Sequence, residues 1–429
     1  MPASLGLSKD SSLTSWLDWQ EKLHSKEIDL GLERVRGVYQ DLSKLGSANK
    51  IFTISVAGTN GKGSCVALLE SILLAAGYSV GCYTTPHILS YNERVRVNGE
   101  AVPDSDLVTS FELINHVRKE TSLSYFEFGT LAALEIFKQK QVDVQILEVG
   151  LGGRLDAVNI VDADAALVSS IDIDHIDWLG DDRSQIAVEK AGIFRAKQKA
   201  VCGDMNCPDS LVDVARSLKT DLLMAGVDYS VQVGDKNWLL ASDKFLAFAG
   251  EYPLPSLKGE HQIHNAAAVI NLLAHTNSLL PVTKADIVKG LGAANLAGRL
   301  QLINGSPTVL IDVAHNPQAA RVLAHHISNE LEFDNIYAVF SVLNDKELGG
   351  VITPLADIVK RWYIAPVESV RSQSLENISK TIADHSLARC FKFKSIYEAF
   401  DQARTDADKN DLIVCFGSFL VVEACLGGL

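Results

Sequence analysis

Short apolar runs alternate along this chain with longer segments of helical periodicity. The runs of strand length cover residues 51–56, 142–149, 165–171, 309–313, 336–340 and 412–416. Nearly continuous apolar runs separated by helical patterns are typical of parallel strands whose two faces are covered by helices. The pattern therefore predicts an α/β fold built on parallel sheets.

Two segments interrupt this rhythm. Residues 221–255 are polar and rich in strand and turn signals, after which a helical pattern resumes. Residues 291–299 include Gly292 and Gly298, a composition that indicates a hinge. Because 429 residues are many for one hydrophobic core, we expect a second α/β unit to begin near Leu300.

Composition narrows the class of protein. The net charge of −14 argues against a nucleic-acid partner, so an anionic substrate needs a local cluster of cations and amide dipoles. The first ten residues do not have the pattern of a signal peptide, and no uncharged apolar run is long enough to span a membrane. The seven cysteines are scattered without a C-x-x-C pair, which favours reduced thiols and no zinc site. We expect a cytoplasmic protein.

The clearest chemical signal is a glycine-rich turn after the first apolar run. Gly58, Gly61 and Gly63 allow backbone N–H groups to converge on an anion, and Lys62 adds a mobile positive charge. The spacing departs from the common G-x-x-x-x-G-K-[ST] motif, which would require glycine at Val56 and a hydroxyl in place of Gly63. We predict a triphosphate-binding loop, and a glycine-rich turn without a ligand is the alternative.

Acidic side chains follow two other predicted strands. Glu148 ends one apolar run, and Asp172, Asp174 and His175 follow the next. The carboxyl ends of parallel strands face the ligand crevice of a sheet, where carboxylate oxygens can hold magnesium beside a phosphate. Solvated turn residues are the alternative for each acid. Two such segments near one phosphate loop favour the metal interpretation.

Other charged residues are weaker candidates. Lys190 lies near the end of a predicted helix. It is interpreted either as a solvated cation or as a partly buried amine with a lowered pKa. Asp312, His315 and Asn316 follow a strand of the second unit and could meet a nucleotide. Arg299 near the hinge is either a second cation for the triphosphate or a surface arginine.

Nine segments together resemble one enzyme family. They include Ala57-Gly-Thr-Asn-Gly-Lys-Gly-Ser64, Glu148-Val-Gly-Leu-Gly-Gly-Arg-Leu-Asp156 and Asp312-Val-Ala-His-Asn-Pro317, and the others are residues 24–35, 85–87, 93–96, 125–129, 174–175 and 189–192. In order and spacing they resemble the bacterial folylpolyglutamate synthases, and most of all the bifunctional form that is also a dihydrofolate synthase. The similarity runs from about residue 16 to residue 419.

The resemblance implies a fold and a reaction. The implied fold is an N-terminal P-loop ATPase domain with a parallel sheet, residues 1–297, and a smaller C-terminal Rossmann-like α/β domain, residues 298–429, with the active site in the cleft between them. The implied reaction uses ATP to convert a substrate carboxylate into an acyl phosphate, which the amine of L-glutamate then attacks. The substrates would be 7,8-dihydropteroate and tetrahydrofolates.

The resemblance also assigns roles to residues. Catalytic roles fall on Lys62, Lys190, His175, Asp312 and His315. ATP would be bound by Gly58, Thr59, Asn60, Gly61, Lys62, Gly63, Ser64, Asn265, Arg299 and Asp312. The pterin or folate would be bound by Glu27, Ile28, Asp29, Leu30, Tyr125, Phe126, Leu155, Asp156 and Ala157. Magnesium ligands would be Thr85, Glu148 and His175. Lys190 matches the lysine that the family carries as a carbamate.

Several alternatives and expectations accompany this assignment. A monofunctional folylpolyglutamate synthase and a peptidoglycan Mur-type amino-acid ligase use related motifs. A catalytically silent folate-binding paralogue and a nucleotide-driven switch are further alternatives.

The family resemblance implies two magnesium ions, with potassium as an additional candidate. We expect a monomer with small-molecule partners and no nucleic-acid or membrane partner. Leu420 stands where the family often has a polar residue.

Overall fold

The structure is a computed structural model that describes residues 7–26, 29–45 and 50–429. The chain divides into two compact units. The first unit contains the described residues up to Ile171, together with Asp182–Ser256 and Ile263–Ala294. The second unit contains Asp172–Asp181, Leu257–Gln262 and Asn295–Leu429.

The first unit is built on an eight-stranded sheet. Its strands are β1 (Phe52–Ala57), β2 (Val80–Tyr83), β3 (Val95–Val97), β4 (Glu100–Ala101), β5 (Val144–Glu148), β6 (Ala165–Val168), β7 (Lys199–Cys202) and β8 (Asp221–Met224). The spatial order is β4-β3-β2-β5-β1-β6-β7-β8. The pairs β2–β3 and β3–β4 are antiparallel, and the other neighbouring pairs are parallel. Strand β1 lies between β5 and β6 and is almost wholly buried, which explains its unbroken apolar sequence.

Helices surround this sheet. They are α1 (Leu13–Leu23), α2 (Glu33–Ser43), α3 (Lys62–Ala75), α4 (Asp104–Arg118), α5 (Tyr125–Lys140), α7 (Arg183–Ala191), α8 (Asp209–Leu218), α9 (His261–Thr276) and α10 (Lys284–Ala293). The short helix α6 (Ile176–Leu179) lies between α5 and α7 in the sequence but belongs to the second unit. Helices α3 and α10 pack closely because Gly290 has no side chain: a Cβ there would lie 2.5 Å from the Ile72 Cα. The Ser71 hydroxyl donates to the Gly290 carbonyl at 2.9 Å.

The polar segment predicted between residues 221 and 255 contains a small separate sheet. Strands β9 (Tyr229–Val233), β10 (Asn237–Ser242) and β11 (Gly250–Pro253) form an antiparallel meander. Along β10, exposed and buried residues alternate, as expected where one face of a sheet is solvated. The segment is therefore an antiparallel insertion within the first unit.

The second unit has a six-stranded sheet of its own. Its strands are β12 (Gln301–Ile303), β13 (Thr308–Ile311), β14 (Ile336–Phe340), β15 (Arg361–Ile364), β16 (Arg389–Lys392) and β17 (Leu412–Phe416), in the order β12-β13-β17-β14-β15-β16. All pairs are parallel except β12 with β13. The helices are α11 (Pro317–Glu330), α12 (Leu348–Ile352), α13 (Leu375–His385), α14 (Ile396–Asp406) and α15 (Phe419–Gly427). The described residues also include short 3₁₀ turns at Tyr91–Arg94, Ala157–Ile160 and Thr353–Leu355.

The two parallel-dominated sheets confirm the predicted α/β class, and each of the six apolar runs overlaps a strand. The run at residues 165–171 is longer than its strand, since β6 ends at Val168. Among the described residues no helix has both the length and the apolar character needed to cross a lipid bilayer.

Candidate active site

The glycine-rich turn connects β1 to α3. Gly61 has φ of 83° and immediately precedes α3, whose first residue is Lys62. That backbone conformation favours glycine. The Lys62 ammonium donates to the carbonyl oxygens of Gly58 and Thr59 at 3.0 and 3.2 Å. The turn thus combines a helix N-terminus with a lysine folded over the loop, an arrangement suited to anions.

Two serines after β6 hold this turn in place. The Thr59 N–H donates to the Ser170 carbonyl at 2.8 Å, and the Asn60 N–H donates to the Ser170 hydroxyl at 3.1 Å. The Ser169 hydroxyl donates to the Asn60 carbonyl at 2.6 Å. A Cβ at Gly58 would lie 2.0 Å from the Ser169 Oγ, so this glycine is required for the close approach. Neither serine was predicted to have a role from the sequence, although the two directly follow Val168, the last residue of β6.

Helix α9 contributes Asn265 to the same turn. A Cβ at Gly61 would lie 2.7 Å from the Asn265 Oδ1, and the Cys65 thiol is 3.8 Å from that oxygen. The structure therefore brings one residue predicted to bind ATP from a distant part of the sequence to the phosphate loop.

The acid predicted at the end of β5 is next to the predicted metal hydroxyl. The Glu148 carboxylate is 4% exposed and accepts a hydrogen bond from the Thr85 N–H at 3.2 Å. The Thr85 hydroxyl accepts from the Arg94 guanidinium at 3.2 Å. These oxygens are of the type that hard divalent cations prefer. Within the described parts of the chain, no three His, Cys, Asp or Glu side chains cluster in a metal-binding arrangement.

The segment after β5 is held against the end of α7 by a hydrogen bond and an ion pair. The Arg154 N–H donates to the Glu189 carbonyl at 2.9 Å, and the Arg154 guanidinium pairs with the Glu189 carboxylate at 2.8 Å. A Cβ at Gly153 would lie 2.7 Å from the Glu189 carbonyl oxygen. Lys190, in this last turn of α7, is 3% exposed, which excludes a solvated surface lysine.

The same segment approaches two of the predicted pterin-pocket residues. A Cβ at Gly150 would lie 2.8 Å from the Phe126 ring and 3.2 Å from the Asp156 Oδ2. The rings of Phe126 and Tyr83 are stacked with centroids 5.8 Å apart. Phe126 is only half-buried, and an aromatic side chain that keeps some exposed surface can pack against a flat heterocycle.

Asp156 is a buried acid with an unusual protonation equilibrium. Its carboxylate accepts from the Leu151 N–H at 2.8 Å and from the Val158 N–H at 3.0 Å. Burial raises the pKa of Asp156 to about 7, while those backbone bonds and the charge of Lys62 act in the opposite direction. The carboxyl therefore changes charge near neutral pH.

The other residues predicted to bind the pterin differ in their surroundings. Glu27 and Ile28 lie outside the described residues. Leu30, Tyr125 and Leu155 are half-buried, and Ala157 is buried. Asp29 is held by charged neighbours: the Arg34 guanidinium donates to it at 2.6 Å, and the His24 Nε2 is 3.0 Å away. The hydrogen bond with His24 is the main reason that the pKa of Asp29 is lowered.

Arg34 links Asp29 to the start of α5. Its second terminal nitrogen donates to the Glu127 carboxylate at 3.1 Å, and Glu127 also accepts from the Ser124 N–H at 2.7 Å in a capping box. Asp29 is consequently a structural partner of the helix that carries Tyr125 and Phe126.

In the second unit, Asp174 is the centre of a polar cluster. Its carboxylate accepts from the Lys346 ammonium at 2.6 Å and from the Asn316 amide at 3.3 Å, and the His315 Nε2 is 3.5 Å away. The adjacent His175 has φ of 53° and donates its N–H to the Asp174 Oδ1 at 2.8 Å. Burial alone would raise the pKa of Asp174, but the bond with His315 and the charges of Lys346 and the histidines hold it well below its usual range.

Asp312 and Arg299 lie near one another at the start of the second sheet. Asp312 is buried and accepts from the Leu300 and Ala314 N–H groups at 2.8 and 2.7 Å. Burial raises its pKa, and the nearby Arg299 charge opposes that rise. The Arg299 guanidinium lies over the Phe419 ring at 5.5 Å. His315 packs at 6.4 Å from the same ring, so three predicted residues share one neighbourhood.

The structure combines a glycine-rich turn between β1 and α3, a buried acid at the end of β5 and a second α/β unit. This combination is that of an ATP-dependent ligase of the Mur type. Residues 56–273 match the Mur ligase middle domain, and residues 298–419 match the Mur ligase glutamate ligase domain. The dihydrofolate synthase/folylpolyglutamate synthase of Escherichia coli is 44% identical over 412 residues, which cover 96% of this chain and 94% of that protein.

Solved structures of related enzymes are also similar to this chain over nearly its full length. Escherichia coli FolC in complex with DHPP and ADP has a TM-score of 0.90 and 43% identity, and the match covers 98% of each chain. A bifunctional folylpolyglutamate synthase/dihydrofolate synthase with Mn, AMPPNP and L-glutamate bound has a TM-score of 0.88 and 40% identity, again over 98% of each chain. The chain belongs to the dihydrofolate synthase/folylpolyglutamate synthase family, as its sequence motifs predicted.

Proposed function

We propose that this protein is an ATP-dependent ligase that adds L-glutamate to 7,8-dihydropteroate and to tetrahydrofolates. One observation carries the proposal most directly: a single stretch of chain runs from the predicted metal ligand Glu148, the last residue of β5, to Asp156 beside Phe126. The Lys62 charge is close enough to act on Asp156. A flat heterocycle held at Phe126 would therefore lie near the machinery for a triphosphate.

In the first step, the substrate carboxylate oxygen attacks the γ-phosphorus of ATP. A bond forms between that oxygen and phosphorus, the bond to the β,γ-bridging oxygen breaks, and ADP leaves with the bond's electron pair. The reaction brings two anions together, so their repulsion must be neutralised. Lys62 and the backbone N–H groups at the N-terminus of α3 would supply this positive potential.

In the second step, the amine of L-glutamate attacks the acyl carbon. The tetrahedral intermediate collapses with loss of phosphate, the amine gives up a proton, and an amide remains. Phosphate leaves readily where the original carboxylate oxygen would not. His315, Asn316 and Lys346 surround Asp174 in the second unit, and we assign a catalytic role to His315 within this group.

A metal ion would be held by Thr85, Glu148 and His175. Thr85 and Glu148 fit the role, because the buried Glu148 carboxylate at the end of β5 accepts the Thr85 backbone N–H at 3.2 Å, so a residue with a hydroxyl lies beside a carboxylate. Bound magnesium would neutralise phosphate charge and act as a Lewis acid. We propose magnesium at two sites, with potassium as an additional ion, and a carbamate on the buried Lys190.

Further assignments belong to the same proposal. ATP contacts from Asn265, Arg299 and Asp312 are supported by the position of Asn265 against Gly61 and of Arg299 near Asp312. A domain boundary after residue 297 is supported by the family match that starts at residue 298. We also propose a cytoplasmic monomer without nucleic-acid or membrane partners.

The decisive assay offers the two acceptors separately. Pure protein receives ATP, magnesium and L-glutamate with either 7,8-dihydropteroate or tetrahydrofolate, and phosphate release and product mass are followed. We expect glutamylation of both. Activity with neither would refute the ligase assignment, and activity with tetrahydrofolate alone would restrict the enzyme to polyglutamylation.

Lys62→Ala tests the role of the loop within that assay. Loss of one preorganised cation at a phosphoryl-transfer site should lower kcat by about 100-fold or more. Lys289→Ala, an exposed lysine of α10, is the matched control and should retain activity. Full activity of Lys62→Ala would contradict the assigned role.

A further inference from the structure

One motif of the sequence has no part in the function described so far. It is Glu93-Arg-Val-Arg96, which follows the loop that carries Thr85. The Glu93 carboxylate accepts backbone N–H groups from Ile88 at 2.8 Å, Leu89 at 2.9 Å and Ser90 at 2.8 Å. A carboxylate that accepts three N–H groups from consecutive residues fixes the backbone of that loop.

The next residue of the motif reaches back to the loop with its side chain. The Arg94 Nε donates to the His87 Nδ1 at 2.8 Å, and one terminal nitrogen donates to the Thr85 Oγ1 at 3.2 Å. The same guanidinium lies 5.4 Å from the Tyr91 ring centroid and 5.5 Å from that of Tyr125. Arg94 therefore connects a predicted metal ligand with a predicted pterin-pocket residue.

The last residue of the motif anchors the loop to the helix of the phosphate turn. Arg96 pairs with Glu70 of α3 at 2.7 Å, and both side chains are largely buried. Arg96 also donates to the Thr84 hydroxyl at 3.1 Å and to the Glu93 carbonyl at 3.3 Å. The loop that carries Thr85 is thus fixed relative to α3, which starts at Lys62.

We propose that Glu93 and Arg94 are positioning residues of the metal site, an inference that rests on the proposed function. A hydroxyl oxygen has two lone pairs and one rotatable hydrogen. The bond from Arg94 engages one lone pair of the Thr85 hydroxyl and leaves the other directed elsewhere. Glu93 holds the backbone of residues 88–90 in the same loop. Both residues thereby restrain the position of the oxygen that Thr85 offers to the metal.

Arginine is suited to this task for a geometric reason. Its Nε and a terminal nitrogen donate to two different partners, His87 and Thr85, while the planar group stacks against aromatic rings. Lysine has a single nitrogen on a flexible chain and lacks the planar fork. Arg94→Lys therefore keeps the positive charge but cannot hold both partners in the same way.

The experiment measures metal binding rather than turnover. Mn²⁺ is titrated by electron paramagnetic resonance into the protein with a nonhydrolysable ATP analogue, for the wild type, Arg94→Lys, Arg94→Ala and Glu93→Gln, and Tm is recorded for each. Removal of a residue that orients a metal ligand typically weakens metal affinity by about 10- to 100-fold, and we expect this for all three variants. Arg94→Lys should keep a Tm near that of the wild type.

Arg118→Ala is the matched control. Arg118 also stacks on an aromatic ring, Trp19 at 5.2 Å, and donates to the Thr121 carbonyl at 2.8 Å, but it ends α4 and makes none of the loop contacts of Arg94. We expect a lower Tm and unchanged Mn²⁺ affinity. Loss of affinity in this control would show that general destabilisation explains the Arg94 result, and would overturn the inference.

The remaining outcomes separate the two proposals. Wild-type protein that binds no Mn²⁺ with the nucleotide would refute the proposed metal site and this inference with it. Binding by the wild type and by Arg94→Lys within about twofold of each other would leave the proposed function intact and overturn the positioning role, because orienting residues change affinity by about tenfold or more.

Discussion

Asp156 in the first unit and Asp174 in the second are both acids removed from water, yet they respond to burial in opposite ways. Burial raises the pKa of Asp156 to about 7. The pKa of Asp174 is instead held well below its usual range, despite burial, by His315, Lys346 and His175. The hydrogen bonds that Asp156 accepts come from backbone N–H groups, whereas Asp174 lies 2.6 Å from an ammonium.

The comparison shows that the surrounding charges decide what a buried acid can do. A carboxyl whose pKa is near neutrality can exchange a proton or adapt its charge to a ligand. A carboxylate paired with a buried cation stays ionised and acts as a fixed point of the structure. Asp156 is accordingly suited to binding a titratable heterocycle, and Asp174 to holding His175 and the residues around it.

The largest expected effect comes from removing the cation beside Asp174. Lys346→Met leaves a buried carboxylate without its partner, since the two side chains are 6% and 9% exposed. Breaking a buried pair in this way costs about 3–5 kcal/mol. The free energy of unfolding of the second unit should therefore fall by about 3–5 kcal/mol. Urea denaturation would measure this change.

The double variant Lys346→Met with Asp174→Asn provides the control, because it removes both charges. It should recover much of the lost stability. Equal destabilisation of the single and double variants would contradict the view that the unpaired charge is responsible. For Asp174 itself the lowered pKa means that its stabilising effect is present above pH 3.8, the ordinary value, and is lost as the pH falls below it.

A smaller effect is expected for Asp156 and is read from ligand binding. The amino and ring N–H donors of a pterin favour the ionised carboxylate, so affinity for 7,8-dihydropteroate should rise with pH and level off above the pKa of about 7. At one pH unit below the pKa about one carboxyl in ten is ionised, and the apparent Kd should be about tenfold weaker.

Calorimetric titrations between pH 5.5 and 8.5, a range spanning about three units around the pKa, would measure this. Asp156→Asn should remove the dependence, and any slope that survives in it belongs to the ligand. A wild-type affinity that is independent of pH would contradict the assigned protonation of Asp156.

The smallest expected effect concerns an acid and a cation at the surface. Arg216 and Asp213 lie 2.7 Å apart on α8, a shorter separation than that of many buried pairs, but their side chains are 74% and 67% exposed. Arg216→Gln should change the free energy of unfolding by less than about 0.5 kcal/mol. A change comparable to that of Lys346→Met would show that distance rather than burial governs these pairs.

Much of the fold was predictable because the central strands are covered on both faces. Strands β1, β5, β14 and β17 are unbroken apolar runs that the sequence displays directly. The phosphate loop was predictable for a related reason, since a positive φ at Gly61 and the close approach at Gly58 both require glycine. The pairing of Glu148 with Thr85 followed from family motifs.

Other features could not be predicted because their partners are distant in sequence. Ser169 and Ser170 restrain a loop more than a hundred residues before them, and Lys346 reaches Asp174 across 172 residues. Arg94 appeared within a family motif, but nothing in the motif indicated that its guanidinium contacts Thr85, His87 and the Tyr125 ring.

The sequence by itself determined the parallel α/β architecture, the glycine-rich turn between β1 and α3 and the family, because these depend on local pattern, glycine conformation and motif order. Tertiary structure alone decided which buried acid has a pKa near neutrality and which stays ionised. Asp156 and Asp174 are both acids after apolar runs in the sequence, and a pKa depends on the charges and dipoles within a few ångströms. Those neighbours come from other strands and loops, and only folding brings them together.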